Sequence, residues 1–552
     1  MKRKEDLFPI LTLVILCCML FFFRLGARPL WDVDEGMHAS TSKEMVLSGN
    51  WITPTFNGIN FYDKPVLHNW FVSLSFLVFG FTEFAARLPA AILGLGGVLI
   101  TYLLGRRMFG RSVGFLSGAI LATSVEYVVL SRTVVHDISL CFFVTLALLL
   151  FYMGFMDKDQ RKRYLIFFYI ALGFAVLAKG PVGIVLPGLI ISLFLFVKRR
   201  LGFLKEMNIG WGILIFLAVA APWYVLISLR NSDYGWYFFV FNNVMRFLNP
   251  RAQHHQPFYY YFPALLGGFF PWSCFFPLAI YRVFRGPLQK MDEGLLFLLL
   301  WFFVFFLFFS AASSKLATYI LPLFPAASLL VAALWHDWMR TLPSSLDRAF
   351  LYTFIPLLLI LPLVLLYLWI GPPVSYASKF GINFLQYSYL AFGLGGGAGV
   401  SFYLGLRRRP KASFWALIVT AAVFFLLVDR AIFPSLNPYF TTKRLAQKLD
   451  RWVPPGEKLA FINSVKDTAL FYTDRRALLL RTPGEAFDFL RQDQRVYCIV
   501  NKRLYKDLDR VREISHIIEE EGGKLIISNR DGHPVDGGEN LSMDGRGFQS
   551  SR

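Results

Sequence analysis

The sequence Trp31-Asp32-Val33-Asp34-Glu35-Gly36 places three carboxylates within four residues, directly after an apolar segment that begins at Leu7. That segment has about 18 residues, which is long enough to cross a bilayer. About 30 residues later the same loop contains Phe61-Tyr62-Asp63-Lys64-Pro65, an acid and a base side by side at the start of another apolar run. Spacing alone leaves two interpretations open: solvated charge at a membrane surface, or a functional site.

Composition defines the class of protein. The chain has 552 residues, of which 56% are hydrophobic and 17% aromatic, and its mean hydropathy is +0.51. These values exclude an ordinary soluble protein and indicate a polytopic membrane protein. The net charge of +20 comes from short basic clusters between apolar runs, which is typical of membrane-protein loops and excludes a nucleic-acid partner. The five cysteines form no metal-binding pair or disulfide pattern.

About thirteen apolar segments are long enough to be membrane-spanning helices. They lie at 7–24, 84–105, 112–130, 138–156, 163–179, 181–197, 209–229, 261–282, 292–311, 316–336, 349–371, 386–406 and 412–430. We expect the first of them to be an uncleaved helix rather than a signal peptide. A further apolar segment, 66–80, is shorter and follows the charged loop directly, so we expect it to lie in the membrane interface.

The basic residues predict the orientation. With a cytoplasmic N-terminus and no crossing at 66–80, all seven inner loops carry at least two basic residues, which is the positive-inside pattern. A crossing at 66–80 would move six of these clusters outside. We therefore expect the first outer loop, about 25–83, to be extracytoplasmic.

This topology gathers the unusual polar residues on the outer face. They are the Asp32/Asp34/Glu35 cluster, Asp63-Lys64-Pro65, His136-Asp137, Lys179-Gly180-Pro181, Gln253-His254-His255 and Ser313-Ser314-Lys315. Ionisable groups near lipid are candidates for function. The set predicts an extracytoplasmic active site at the membrane boundary.

The chain divides into three regions by composition: a membrane domain at 1–436, a small soluble α/β domain at 437–530, and a Gly- and Ser-rich tail at 531–552 that we expect to be disordered. In the second region, 441–453 has helical spacing, and 459–462, 496–500 and 525–527 have the composition of strands. We expect a further helix between Leu504 and Glu521. The odd number of spans predicts an extracytoplasmic location for this domain.

The outer residues suit one kind of chemistry. A substrate at the lipid boundary is expected to be lipid-linked, a carboxylate can act as general base, and a lysine can neutralise a phosphate. Carboxylates and an imidazole from separate loops could also hold a divalent metal. The residues therefore indicate transfer of a group from a phospholipid carrier.

A series of motifs in this order resembles the bacterial aminoarabinose transferases that modify lipid A and, more distantly, the protein O-mannosyltransferases. The motifs are Leu30-Trp31-Asp32-Val33-Asp34-Glu35, Ser48-Gly49-Asn50-Trp51, Phe61-Tyr62-Asp63-Lys64-Pro65, His136-Asp137, Leu177-Ala178-Lys179-Gly180, Ala252-Gln253-His254 followed by Pro257-Phe258-Tyr259-Tyr260, and Lys315-Leu316-Ala317-Thr318-Tyr319-Ile320-Leu321. They cover nearly the whole membrane portion.

The resemblance implies a GT-C type glycosyltransferase of the bacterial inner membrane, with thirteen transmembrane helices and a small C-terminal α/β domain in the periplasm. The implied donor is a polyprenyl phosphate sugar, typically on undecaprenyl phosphate, and the implied reaction inverts the anomeric centre. Aminoarabinose is one candidate sugar. The acceptor is lipid A or another envelope molecule, and membrane lipids surround the protein.

The resemblance also implies roles for individual residues. Asp34 is the principal catalytic carboxylate and Asp137 the second acid of the pocket. Lys64 binds the donor phosphate, with Tyr319 and Lys315 nearby. Asp63 and His254 fall where family members place a metal ion.

Other readings of single residues remain open. Glu35 either joins the catalytic carboxylates or holds the loop through backbone hydrogen bonds. Lys179 either binds substrate or is a helix-end lysine that reaches toward the interface. His254, rather than His255, matches the family's Gln-His pair.

Three departures from the family pattern bear on the metal and the acceptor. Asp63 stands where the family has Glu, so no cofactor is certain and a divalent metal ion remains an open expectation. Ala317 replaces a proline, and His136 stands where an apolar residue is common.

Two functional classes follow from the residues. The first is an enzyme that transfers a sugar from a polyprenyl phosphate to lipid A, or, like the O-mannosyltransferases, to protein or another glycan. The second is a lipid or sugar transporter or flippase. A transporter should show ionisable residues near mid-membrane and repeated halves, whereas here the charges cluster at one boundary, so the enzyme is favoured.

Overall fold

The structure is a computed structural model that describes residues 4–248, 254–284, 291–340, 344–359, 362–363, 384–453, 457–463, 467–473 and 475–531. The chain forms two compact units, Met1–Phe440 and Thr441–Arg552. The first is helical and the second contains a mixed β-sheet. The predicted disordered tail lies outside the described residues except for residue 531.

The helical unit begins with an apolar helix that leads into the carboxylate loop. Its described helices, in chain order, are Lys4–Cys17 with the π-turn Cys18–Phe22, Asp34–Ser48, Leu67–Phe79, Glu83–Phe109, Arg111–Ala122, Val125–Leu130, Asp137–Met156, Arg161–Lys179, Val182–Val197, Phe203–Glu206, Ile209–Arg230, the π-helix Trp236–Met245 with Arg246–Leu248, Phe258–Tyr260, Tyr261–Gly268, Trp272–Cys274, Phe276–Phe284, Glu293–Ala311, Ala317–Leu323, Phe324–Arg340, Ser344–Tyr352, Phe384–Leu406, Pro410–Leu427, the π-turn Val428–Ile432 and Phe433–Phe440. A short hairpin of β1 (Thr55–Phe56) and β2 (Ile59–Asn60) lies in the carboxylate loop.

The chain is a multi-pass membrane protein. Within the described residues, seven helices are long and apolar enough to cross a membrane, or eight if the bent pair Phe258–Gly268 and Trp272–Phe284 forms one span. The count of thirteen spans is therefore not confirmed. Part of the span expected at 349–371 lies outside the described residues.

Two expected spans are interrupted for local reasons. The segment 261–282 bends by 119° where Gly267, Gly268 and Pro271 follow one another, because glycine and proline both weaken a helix interior. The segment 112–130 breaks at Thr123 and Ser124, whose hydroxyls donate to the carbonyls of Ala119 (2.7 Å) and Ile120 (2.8 Å). Such side-chain bonds compete with the helical ladder.

The segment expected to lie in the interface is the helix Leu67–Phe79, which has 13 residues. At 1.5 Å per residue it is about 20 Å long, shorter than the roughly 30 Å hydrocarbon core. Its length therefore agrees with the prediction that it does not cross the membrane.

The second unit contains five strands, β3 (Leu459–Ile462), β4 (Leu478–Leu480), β5 (Tyr497–Asn501), β6 (His516–Glu521) and β7 (Lys524–Ser528), in the order β4-β3-β5-β7-β6. β3 pairs in parallel with β4 and β5, whereas β7 is antiparallel to β5 and β6. The helices are Lys443–Trp452, Asp467–Thr473, Pro483–Leu490, Lys502–Lys506 and Asp509–Glu513. They pack an apolar core that includes Ala460, Cys498 and Ile527.

The helix expected between Leu504 and Glu521 is wrong in its second half. Residues 516–521 form β6, because Gly522 and Gly523 adopt positive φ angles of 57° and 75° and turn the chain into a hairpin with β7. The predicted fold class is otherwise confirmed in its main features: a polytopic helical membrane protein with a small C-terminal α/β unit.

Candidate active site

Asp34 lies in the first turn of the helix Asp34–Ser48 and is exposed. The pKa of Asp34 is raised above its usual value, first by partial burial and then by the nearby Asp137 carboxylate. The positive charges of Lys64, His254 and Lys179 act in the opposite direction and reduce this rise. These groups come from separate segments of the chain. The structure therefore brings five of the predicted site residues into one electrostatic neighbourhood.

Glu35, the next residue, points into the protein and is 5% exposed. Arg87 contacts both of its carboxylate oxygens, through Nε at 2.8 Å and NH2 at 2.9 Å, and Trp31 N donates to Oε2 at 3.1 Å. Burial alone would raise the pKa of Glu35, but Arg87, Arg28 and these hydrogen bonds together lower it. A catalytic role for Glu35 stays a prediction, and its contacts favour the reading in which it holds the loop.

Asp137 begins the helix Asp137–Met156 and forms an ion pair with Lys179. The Lys179 ammonium also lies 4.1 Å from the centre of the Tyr319 ring, which is within the range of a cation–π interaction. Gly180 follows with φ +83°, and a Cβ there would lie 2.7 Å from the Phe238 ring. Because Gly180 has no side chain, the Phe238 ring can lie against the backbone next to Lys179.

A cavity of about 540 Å³ lies beside this pair. Its walls are largely apolar and aromatic, and its charged lining residues are Asp63, Lys64, Lys179 and Arg246. Lys64 is half-buried, and within the described residues its ammonium has no hydrogen-bond or ion-pair partner. Arg246 donates to Asn242 Oδ1 at 3.0 Å, and no described carboxylate pairs with it. An apolar cavity whose polar end carries Lys64 and Arg246, neither of them paired with a described carboxylate, suits a lipid with an anionic head.

Asp63 connects this cavity to the π-helix Trp236–Met245. Its carboxylate accepts a hydrogen bond from Tyr237 OH at 2.8 Å, and its backbone carbonyl accepts one from Asn242 Nδ2 at 2.8 Å. Since Asn242 also contacts Arg246, these bonds fix the positions of Lys64 and Arg246 relative to each other.

Lys315 is 4% exposed, and its ammonium donates to the backbone carbonyls of Gln256 (2.9 Å) and Ala312. Its backbone N donates to the His254 carbonyl at 3.0 Å. Lys315 therefore holds the segment that carries His254. His254 itself is exposed, with φ +62°.

Three buried histidines lie behind the Asp137–Lys179 pair. The His136 ring centre is 4.4 Å from that of His38 and 4.9 Å from that of His68, and His68 Nδ1 lies 2.9 Å from Ser139 Oγ. Burial lowers the pKa of His38 to about 3 and that of His68 to about 4. Neutral imidazoles at this position add no positive charge to the neighbouring lysines.

The residues suggested for a metal do not form a complete site. One carboxylate oxygen of Asp63 accepts a hydrogen bond from Tyr237 OH. The described residues contain no group of three or more His, Cys, Asp or Glu side chains arranged to hold a metal ion. A metal at Asp63 and His254 stays a prediction.

Two residues of this region were missed by sequence reasoning. Arg246 lies at the end of an aromatic run, and Arg87 lies inside the apolar helix Glu83–Phe109. A single arginine in an apolar segment is the signal that could have identified both.

Comparisons with known proteins agree with this architecture. The family described as dolichyl-phosphate-mannose-protein mannosyltransferase matches residues 63–226. An undecaprenyl phosphate-alpha-4-amino-4-deoxy-L-arabinose arabinosyl transferase of Aeromonas salmonicida is 34% identical over 60% of this chain and 60% of its own length. A protein with the same description from Yersinia enterocolitica is 29% identical over 76% of each chain.

Solved structures show the same fold. The crystal structure of ArnT from Cupriavidus metallidurans bound to undecaprenyl phosphate has a TM-score of 0.81 at 22% identity and covers 94% of this chain and 98% of its own. The archaeal oligosaccharyltransferase AglB from Archaeoglobus fulgidus has a TM-score of 0.51 at 13% identity, over 96% and 75% of the two chains. The matched segment spans about 60% of the length of the first of the curated relatives.

Proposed function

We propose that this chain, which belongs to the GT-C superfamily and resembles its aminoarabinose transferases, is an integral membrane glycosyltransferase. Its donor is a sugar carried on undecaprenyl phosphate or a similar polyprenyl phosphate. The observation that carries the proposal is the apolar cavity whose polar end presents Lys64, Lys179 and Arg246 near Asp34.

The cavity supports a lipid phosphate as the donor. Phe238, Phe239 and Phe308 provide apolar surface for a polyprenyl chain. Lys64 and Arg246, for which the described part of the chain offers no paired carboxylate, lie where a phosphate would be neutralised. A charge-assisted bond from guanidinium or ammonium to phosphate is stronger than a neutral hydrogen bond. The lining therefore favours a phosphorylated lipid over a neutral one.

Transfer with inversion requires one displacement at the anomeric carbon. The acceptor oxygen forms a bond to that carbon while the bond to the donor phosphate oxygen breaks and its electron pair stays on the phosphate. Lys64 and Arg246 stabilise the charge that develops there. An acceptor hydroxyl gives its proton to Asp34, whose raised pKa suits a general base.

The acceptor is lipid A or another envelope molecule, and the transferred sugar is aminoarabinose. The descriptions of the curated relatives support this choice of sugar. The protein lies in the inner membrane, with its N-terminus in the cytoplasm and its site and second unit in the periplasm. The basic residues in all seven predicted inner loops support this orientation.

The match to the mannosyltransferase family over 63–226 supports one alternative, in which the acceptor is protein or another glycan. A flippase is less well supported, because the cavity's cations, Lys64, Lys179 and Arg246, lie together with Asp34 and Asp137, an arrangement suited to chemistry at an anomeric centre.

Mass spectrometry of lipid A from cells with the chain, without it, and with the Asp34→Asn variant tests the proposal. A pentosamine-sized mass increment that requires both the chain and Asp34 is expected. Lipid A that does not change, together with a modified envelope protein or polysaccharide that depends on Asp34, would move the acceptor to the alternative. If no modification of lipid A, protein or polysaccharide depends on both the chain and Asp34, the transferase function is overturned.

A further inference from the structure

The last helix of the membrane unit, Phe433–Phe440, contacts the residues that directly precede Asp34. Trp31 Nε1 donates to Asn437 Oδ1 at 2.9 Å across 406 residues of sequence. The Trp31 ring stacks on Phe440 at 5.0 Å and meets the edge of Phe433 at 5.3 Å. The Asp32 backbone N donates to the Phe440 carbonyl at 2.7 Å. The helix therefore holds the loop by side chain and by backbone.

The same tryptophan is connected to the other side of Asp34. The Arg28 guanidinium lies 4.3 Å from the centre of the Trp31 ring and 5.0 Å from that of Phe433, and its NH2 is 3.4 Å from Glu35 Oε2. Trp31 N also donates to this carboxylate, and Gly36 N donates to the Trp31 carbonyl at 3.1 Å. Asp34 therefore lies inside a turn whose two ends are bonded together.

The start of the supporting helix is itself fixed. In the preceding π-turn Val428–Ile432, Asp429 accepts from Arg132 NH2 at 2.7 Å and lies 3.8 Å from Arg24 Nε. Arg132 NH1 donates to the Leu20 carbonyl at 2.7 Å. These bonds tie the start of the helix to the π-turn Cys18–Phe22 and to Arg24, which precede the carboxylate loop.

We propose that the helix Phe433–Phe440 is a positioning element for the catalytic carboxylate. It acts through the Asn437–Trp31 hydrogen bond and the Phe440–Asp32 backbone bond, and it sets where Asp34 stands relative to the donor. The inference rests on the proposed transferase function and assigns Asn437 and Trp31 as positioning residues. Small misplacements of a reacting group lower the rate strongly, by about 100-fold for 1 Å.

The test compares substitutions that remove the hydrogen bond and keep most of the packing around it. Asn437→Leu keeps the side-chain volume but removes the acceptor, Trp31→Phe removes the donor and keeps an aromatic ring, and Asn437→Asp retains an acceptor oxygen. Ser435→Ala on the same helix is the matched control, because Ser435 makes no polar contact within the described residues.

We expect Asn437→Leu and Trp31→Phe each to lower kcat about tenfold or more, with the double variant no slower than the slower single variant. Binding of undecaprenyl phosphate and the thermal unfolding midpoint stay at wild-type values, and Asn437→Asp recovers most of the rate. Hydrogen–deuterium exchange of the peptide 30–36 should rise in the two slow variants and not in Ser435→Ala.

Wild-type kcat in both Asn437→Leu and Trp31→Phe would overturn the inference, as would a loss of donor binding or of unfolding midpoint that matches the loss of rate. Failure of the transferase function is distinguishable, because the wild-type protein would then transfer no sugar. In that case hydrogen–deuterium exchange of the peptide 30–36 still tests whether the helix positions the loop. If Asn437→Leu leaves this exchange unchanged, the positioning role is overturned.

Discussion

Arg87 uses all five of its N–H groups to hold Glu35 and the chain that precedes it. Nε and NH2 contact the two carboxylate oxygens of Glu35 at 2.8 and 2.9 Å. The remaining donors reach the carbonyls of Leu25 (3.1 Å), Arg28 (2.6 Å) and Pro29 (2.8 Å). A guanidinium has five donors in a fixed fork, so each is satisfied. One arginine thus connects the helix Glu83–Phe109 to the turn that contains Asp34.

This geometry predicts that Arg87→Lys is not a conservative change. Lysine offers three donors from a single point and cannot make the paired contact with Glu35. Because both groups are buried, we expect a loss of about 3 kcal/mol in the free energy of unfolding, seen as a lower thermal midpoint in detergent. Arg24→Lys is the control: its 3.8 Å contact with Asp429 is 36% exposed on the arginine side, so the cost should stay below about 1 kcal/mol. Equal midpoints for the two variants would contradict the structural role of Arg87.

The sequence offered candidate residues for the site but not their arrangement. Asp34, Lys64, Asp137 and Lys179 were identified because each follows or precedes an apolar run in a recognisable motif. Arg246 was not, because its role depends on the Asn242 and Asp63 contacts, which join residues about 180 positions apart.

The fold, like the site, could be predicted from the sequence only in part. Hydropathy predicted most helices, but averaging over a window hid the bend after Gly268, although glycine and proline mark it in the sequence. In the second unit, helix-forming Glu519, Glu520 and Glu521 outweighed the Gly522-Gly523 turn that makes the hairpin. Local backbone residues decided both cases: glycine and proline at the bend, and Gly522-Gly523 with positive φ angles at the hairpin.

Asp34→Asn should abolish transfer while leaving donor binding intact. The amide has nearly the shape of the carboxylate but cannot accept the acceptor's proton, and Asp34 is exposed, so folding should not change. We expect kcat to fall by at least about 100-fold, in the range of a lost general base. Undecaprenyl phosphate binding should stay within about twofold of wild type. A variant with wild-type kcat would remove Asp34 from the reaction.

Donor binding should weaken as the pH rises through 8. Burial, Lys179 and Arg246 lower the pKa of Lys64 to about 8, so its charged fraction in the empty site falls from about 90% at pH 7 to about 10% at pH 9. Since the phosphate needs the ammonium form, the apparent dissociation constant of undecaprenyl phosphate should rise by up to about tenfold. Titrations of the detergent-solubilised protein at both pH values measure this.

Lys64→Arg is the matched control for this pH dependence, because its guanidinium stays charged across the range. Its binding should show only the titration of the phosphate itself. A wild-type curve parallel to that of Lys64→Arg would rule out Lys64 as the titrating group.

Arg246→Ala should weaken donor binding at every pH. Hydrogen bonds to charged groups contribute about 1.5–3 kcal/mol, so we expect a rise of about 10- to 100-fold in the dissociation constant of undecaprenyl phosphate. Arg246→Lys should recover part of it. The exposed Arg407 lies outside the cavity, and Arg407→Ala should bind as the wild type does. If Arg246→Ala binds equally well, the phosphate does not lie at this end of the cavity.

The Asp137–Lys179 pair should shift the pH profile of transfer in two opposite directions. The Asp137 carboxylate raises the pKa of Asp34, whereas Lys179 lowers it. Asp34 must be ionised to accept a proton, so the acid limb of the kcat profile follows its pKa. Asp137→Asn should therefore move the acid limb to lower pH, and Lys179→Met should move it to higher pH.

The double variant Asp137→Asn/Lys179→Met separates this electrostatic effect from simple damage to the site. Removing both charges removes two opposite effects on the pKa of Asp34. The acid limb of the double variant should therefore return close to that of the wild type, even if its kcat is lower. Damage would instead lower kcat in every variant without moving the limb in opposite directions. Shifts of the same sign in the two single variants would mean that Asp34 does not titrate under the field of this pair, and the acid limb would then belong to another group.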